Sequence, residues 1–188
     1  MDKKRIDIMV DIETLGKEGN SPVIQVAAAA FDIHTGEILK EFNRCCDISY
    51  NKNLIVDGST LKWWLETDSE LLKTILARGS VDGTEQYVIE MFHRWITNLQ
   101  EDYEVYLWGN GILFDNRIIK EKFEAFGLQY PIFYRNDRDL RTIVDIVNSK
   151  YNIDIRKECE VEGERKHDAM NDVVYQIRVA TRGWNMLM

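Results

Sequence analysis

The apolar run Ile6-Asp7-Ile8-Met9-Val10 ends in Asp11-Ile12-Glu13-Thr14, which sets two carboxylates two residues apart where a strand should stop. Successive strand side chains point to opposite faces, so Asp11 and Glu13 should project together from one face at the strand's C-terminal end. Two like charges held that close repel, and a cation, a proton or a basic partner must compensate. A hard divalent cation such as Mg²⁺ or Mn²⁺ suits the task because it takes carboxylate and water oxygens as ligands. Taken alone, the segment is equally readable as a strand running into a solvated acidic turn.

Two later segments change that balance. In Trp108-Gly109-Asn110-Gly111-Ile112-Leu113-Phe114-Asp115 a strand gives way to a glycine-containing turn and then a helix, with Asp115 in the first turn. An aspartate there also has a purely structural use, since negative charge is favourable at a helix N-terminus. In His167-Asp168-Ala169-Met170-Asn171-Asp172 a histidine precedes an aspartate by five residues at the start of the last helix. Each site lies at the end of a different element, and open α/β sheets place their sites in such crevices. Asp11, Glu13, Asp115 and Asp172 could therefore form a cage for two divalent cations, the arrangement that supports in-line phosphoryl displacement. His167, whose ordinary pKa suits proton removal from water near neutrality, is the candidate general base.

These residues need a scaffold. Three strands are expected, at Arg5 to Glu13, Pro22 to Ile33 and Glu37 to Cys46, with a hairpin turn inside Phe31 to Ile38. Helical periodicity follows: one helix capped by Ser59 or Thr60 and running through Trp63 and Trp64 to Leu76, and another capped by Thr84 and running through Phe92 to Leu99. A strand at Glu104 to Trp108 leads to a helix that carries Ile118, Ile119 and Phe123 and stops at Gly127. Helices at Asp137 to Tyr151 and from His167 or Asp168 towards Trp184 complete the chain, with one or two short strands of uncertain position. The charged stretch from Asp154 to Lys166 reads as a solvated, mobile loop. This order calls for an α/β fold in which a mixed central sheet, an antiparallel three-strand meander plus parallel strands, is flanked by helices on both faces.

Composition sets the outer limits. At 188 residues and 45% apolar content, one domain spanning residues 1–188 is expected. No stretch is apolar for long enough to span a bilayer, and Met1-Asp2-Lys3-Lys4-Arg5 leads into an alternating strand, so a soluble cytoplasmic protein with no membrane partner is expected. Cys45, Cys46 and Cys159 fit neither a disulfide framework nor a zinc site. A net charge of -8 argues against tight binding along many nucleic-acid phosphates, but not against an enzyme that handles a few nucleotides.

In motif order and spacing the chain resembles the DEDDh-type 3′-to-5′ exonucleases, the DnaQ-like branch of the ribonuclease H-like superfamily. Asp11-Ile12-Glu13-Thr14 resembles the first motif, Asn110 through Phe114-Asp115 the second, and His167 with Asp172 the third. Small bacterial and phage exodeoxyribonuclease VIII-like and exoribonuclease-like proteins share the Trp-Gly-Asn-Gly lead into Phe-Asp. Asn110 stands five residues before Asp115, where many members have four. The resemblance implies a ribonuclease H-like fold, two Mg²⁺ or Mn²⁺ ions on the four carboxylates, and release of nucleoside 5′-monophosphates from DNA or RNA 3′ ends. It also implies that Thr14 and Leu15 meet the terminal 3′-hydroxyl and the last base, and that Asn110 lies beside the substrate.

Other substrate contacts are read from residue type. One of Trp63 and Trp64 should be core and the other a stacking surface, and Trp64 is taken as a candidate substrate contact. Arg135, Arg138 and Arg141, with Lys166 beside the candidate base, are the candidate phosphate groups, and a solvated helix face is the other reading of each. The resemblance further implies that Phe114 lies in the core and that Asp168, by its spacing from His167, lies outside the ligand set, while His34 and His93 are expected on the surface. Two other readings stay open: a phosphodiesterase confined to short oligonucleotides, and a catalytically idle nuclease-like binding module. DNA or RNA preference, substrate length and strandedness, pathway and oligomeric state, a homodimer included, are not read from the sequence.

Overall fold

The computed structural model describes residues 3–188; Met1 and Asp2, the head of the N-terminal segment read above, lie outside the described residues. Strands β1 (Lys4–Thr14), β2 (Val23–Phe31) and β3 (Ile38–Cys45) form the expected antiparallel meander. Helices α1 (Gly58–Thr67), α2 (Ser69–Asp82) and α3 (Glu85–Asp102) then lead to β4 (Tyr103–Gly109), which lies parallel to β1. After α4 (Asp115–Ala125), the short β5 (Asp137–Asp139) pairs in parallel with β4, and α5 (Leu140–Tyr151), α6 (Ile155–Glu158) and α7 (Ala169–Leu187) close the chain. The sheet order is β3-β2-β1-β4-β5.

The period of two along β1 sorts the core into two layers. Ile6, Ile8, Val10 and Ile12 face α3 and α4 beside Phe92, Ile118 and Phe123. Met9 faces the other way, towards Val144 on α5 and Val173 and Ile177 on α7. Asp11 and Glu13 share the parity of Met9, so they emerge on the side that α7 covers. Alanines 27 to 30 of β2 are fully buried and supply small side chains to both layers, which lets helices approach each face of the same strand. A third cluster of Leu15, Ile24, Cys45, Trp64, Leu71, Leu72 and Ile75 seats α1 and α2.

Three expectations are corrected. The helix read from Ser59 to Leu76 is two helices, because Asp68 caps the second by accepting from the Leu71 N–H at 2.9 Å. The first is capped by Asp57, not by Ser59 or Thr60. The helix read from Asp137 starts at Leu140, because residues 137–139 pair with β4 and Asp139 caps α5 through the Thr142 N–H. The stretch read as a loop from Asp154 to Lys166 holds the short α6, anchored by the buried Ile155. No helix among the described residues is long and apolar enough to cross a membrane.

Gly79 is where α2 meets the strand layer. A Cβ there would fall 2.4 Å from the Cys46 carbonyl oxygen and 2.9 Å from the Asp47 nitrogen. Alanine is favoured in a helix by about 1 kcal/mol over glycine. Overpacking against backbone that cannot swing aside costs about 1–3 kcal/mol and outweighs that gain. Gly79→Ala is therefore expected to lower the urea midpoint of unfolding, and an unchanged or higher midpoint would contradict this packing.

Candidate active site

Strand register builds the site. Val10 is opposite Gly109 in the parallel β1–β4 ladder, so β4 ends beside Val10 and Asn110 leaves it next to Asp11. Gly109 permits the tight strand-to-helix turn: a Cβ there would meet Asn116 Oδ1 at 2.3 Å and Asp115 Cβ at 3.1 Å. Asp115 then opens α4 at the strand edge. From the other side, Asp168 caps α7 through the Met170 and Asn171 N–H groups, which sets Asp172 in the first turn facing β1. Asp168 is thus accounted for as a cap.

Asp11, Glu13 and Asp172 each present an oxygen within 4.8 Å of the others. Asp115 stands outside that trio, but it lines the same cavity of about 280 Å³ with them, Asn110, Phe114 and His167. Burial, then the charges of the neighbouring carboxylates, raises the Asp11 and Glu13 carboxyls well above their ordinary range. Burial raises Asp115 to about 6, against backbone N–H donors and the charge of Arg141, and it raises Asp172 as well. The groups that contact these carboxylates are neutral donors: Gln176 Nε2 to Asp11 at 2.7 Å, the His167 backbone N–H to Asp172 at 3.1 Å, and the Gly111 N–H to Asp115 at 3.5 Å. Among the described residues no ion pair within 4.0 Å involves any of the four. Crowded, desolvated, oxygen-only and with no cation in contact, the cluster fits a hard divalent ion.

His167 sits at the rim with φ +67°, a left-handed conformation rare outside glycine and asparagine. Two contacts fix it. Asp172 accepts its backbone N–H, and Trp63 meets its ring edge-on with centroids 4.9 Å apart. The His-x4-Asp spacing thus has a local cause: the first-turn aspartate of α7 reaches back to the residue just before the cap. Arg165 adds a further tie by making a bidentate pair with Asp68 between α1 and α2, at 2.8 and 2.9 Å.

Beside the acidic cavity lies a more apolar one of about 640 Å³, walled by Ile12, Glu13, Thr14, Gly16, Lys17, Ser59, Thr60, Trp63, Trp64 and Phe114. Here the structure rearranges the candidate substrate residues. Trp64 is 1% exposed and donates its indole N–H to the Thr14 carbonyl, whereas Trp63 is 40% exposed and offers the open ring. Leu15, at 4% exposure, belongs to the core under α1 and α2 and not to the cavity wall. The Thr14 hydroxyl is engaged with the Gly16 carbonyl. Phe114, expected in the core, is half-buried and lines both cavities.

Of the basic candidates, Arg141 lines the acidic cavity and Arg135, Arg138 and Lys166 do not. Arg138 lies over the Tyr106 ring, 4.6 Å from its centroid, away from the carboxylates. Lys166 pairs with Glu160 at 3.1 Å outside the acidic cavity. The arginines that line that cavity are Arg141 from α5 and Arg156 from α6, with Tyr175 and Gln176 from α7. Asn110 is in the wall and accepts from Arg156 at 2.7 Å. Gln176 could have been found from the sequence, four residues after Asp172 on one helix face. Nothing local marks Arg156.

Comparison with curated proteins returns no match. Among solved structures the fold is similar to cell-death related nuclease 4 (CRN-4), with a TM-score of 0.72 and 18% identity over 98% of this chain and 65% of that one. It is also similar to the nuclease domain of 3'hExo, a DEDDh family member bound to rAMP, with a TM-score of 0.67 and 16% identity over 96% and 92%. A third similar structure is the zinc-bound ExoI–ssDNA complex from E. coli, with a TM-score of 0.73 and 17% identity over 98% and 43%. The chain thus spans less than two thirds of the first and under half of the third. At such identities the likeness establishes the fold, a mixed five-strand sheet of the ribonuclease H-like kind. Residues 6–184 match the family described as the 3'-5' exoribonuclease Rv2179c-like domain, nearly the whole chain, and the protein belongs to that family.

Proposed function

We propose that residues 1–188 act as one exonuclease domain that removes nucleoside 5′-monophosphates from the 3′ end of RNA, using two Mg²⁺ or Mn²⁺ ions held by Asp11, Glu13, Asp115 and Asp172. The observation that carries this reading is the convergence of those four carboxylates on one cavity with His167 at its rim. Bound there, the cations would lower the pKa of water and stabilise the charge of the departing oxygen.

The chain's own residues account for the rest. His167, held by Asp172 and Trp63, takes the proton of the attacking water, a task worth about 10²–10⁴-fold in rate. The terminal base stacks on the open Trp63 ring in the apolar cavity, where a base contributes about 1–3 kcal/mol. RNA is preferred to DNA on the strength of the family description. The net charge of -8 and the two small cavities favour short strands over a long groove. Three buried, unpaired cysteines suit a reducing, cytoplasmic setting. All the site residues come from one chain, so the reading needs no second copy.

With 5′-labelled RNA, successive loss of single nucleotides is expected in Mg²⁺ or Mn²⁺ and none in EDTA. Release of internal fragments, or activity that survives in EDTA or in Asp11→Ala, would overturn the mechanism. His167→Ala is expected to bind metal like the wild type while kcat falls by about 10²–10⁴-fold; unchanged kcat would remove the base.

The raised carboxyls give a second test. A carboxyl raised in the fold binds more protons folded than unfolded, so metal-free stability falls as pH rises from the ordinary carboxylate range through about 6, where Asp115 titrates. Asp11→Asn is therefore expected to melt higher than the wild type without metal at slightly alkaline pH. The wild type should gain about 2.7 kcal/mol from a cation at a hundred times its Kd, and the variant much less. Equal gains in both proteins would place the cation elsewhere.

A further inference from the structure

The acidic cavity holds two arginines that make no ion pair with its carboxylates. Arg141 and Arg156 line it, yet no ion pair within 4.0 Å among the described residues includes either guanidinium. Elsewhere Arg5, Arg165, Arg178 and Arg182 pair directly with Asp7, Asp68, Glu164 and Glu158. Arginines meant only to neutralise the cluster would lie on it in the same way. These two stand off.

Arg156 is held by hydrogen bonds, and Arg141 rests against the Gly111 turn. Arg156 donates from Nη2 to the neutral Asn110 amide oxygen at 2.7 Å, and its own carbonyl accepts from the Tyr175 hydroxyl at 3.1 Å. The next residue back fixes α6 from below, with Ile155 buried and its N–H on Asn148 at 3.0 Å. Arg141 lies against Gly111, where an added Cβ would come within 3.2–3.4 Å of the guanidinium. Two positioned guanidiniums with free N–H donors, beside a site for phosphodiester hydrolysis, match the fork geometry of a phosphate.

The layout names which phosphate. Ile12, Glu13 and Phe114 border both cavities, so the acidic site lies between the Trp63 cavity and the arginine wall. A strand with its last base at Trp63 and its scissile phosphate at the carboxylates runs its next phosphate to that wall. Resting on the exonuclease reading above, we infer that Arg141 and Arg156 form a phosphate subsite for the linkage 5′ to the scissile one, so that the preferred substrate carries a second phosphate. A dinucleotide with a free 5′-hydroxyl lacks that phosphate and is a poor substrate. A 5′-phosphorylated dinucleotide has it.

The test uses short 5′-labelled RNA strands with a neutral methylphosphonate at either the scissile or the adjacent linkage. Binding is measured by fluorescence anisotropy in Ca²⁺, and turnover in Mg²⁺. In the wild type, neutralising the adjacent linkage should weaken binding by about 10-fold or more, the size of a charged hydrogen bond. In Arg141→Gln and Arg156→Gln the same change should cost little or nothing. Arg141 is exposed, so its replacement leaves the core intact. An equal loss in wild type and both variants would overturn the subsite. So would variants that become indifferent to the scissile linkage instead, since the arginines would then serve the reacting phosphate. If the wild type leaves the unmodified strand whole, the exonuclease reading falls and takes this inference with it.

Discussion

The molecule is arranged around a repulsion. Four carboxylates meet at the C-terminal edge of β1 and β4, partly withdrawn from water, and burial raises the carboxyl pKa of each. The fold has means of relieving this that it does not use. Buried carboxylates elsewhere are given cations: Glu85 pairs with Lys122 at 2.7 Å between α3 and α4, and Asp7 pairs with Arg5. At the site only neutral donors touch the carboxylates, through Gln176, His167 and Gly111. Such donors orient an oxygen without neutralising it, and the negative field remains available to an ion from outside.

Holding that cluster together is the work of both core layers. The alternation that sends Ile8, Val10 and Ile12 into one layer leaves Asp11 and Glu13 on the side covered by α7. The parallel register of β1 and β4 stops β4 just short of Asp11, and the capping of α7 by Asp168 decides which turn presents Asp172. Each device is worth about a kilocalorie or a few, in line with single caps and packing contacts, so the cluster is sustained by many modest terms.

What could be read from the sequence follows from the range over which each signal acts. The strand alternation at Asp11 and Glu13, the Gly109 turn before Asp115 and the His-x4-Asp spacing are local patterns, and each reflects a local geometry. The break between α1 and α2 was missed because Asp68 interrupts an apolar period that otherwise continues through Leu71 and Ile75. A short strand between α4 and α5 was expected, but the position of β5 was not legible, because Asp137-Arg138-Asp139 has no strand-like composition and pairs only because β4 lies beside it. The arginines follow the same rule: Arg141, a candidate by its place in the chain, lines the acidic cavity, and its neighbours do not. Arg138 was favoured by its place in the chain, but Tyr106 captures it, while Arg156 reaches the site on a four-residue helix within a stretch that reads as loop. Leu15 and Trp64 were drawn into the core by α1 and α2, elements whose docking no adjacent residue announces.

The central claim is that this carboxylate cluster exists to hold two divalent cations. Anomalous diffraction from crystals grown with Mn²⁺ and a nucleoside 5′-monophosphate tests it most directly. The account predicts two manganese peaks about 3.5–4 Å apart among Asp11, Glu13, Asp115 and Asp172, with the phosphate beside them. Density showing no manganese there, with the four carboxylates splayed apart, would contradict it.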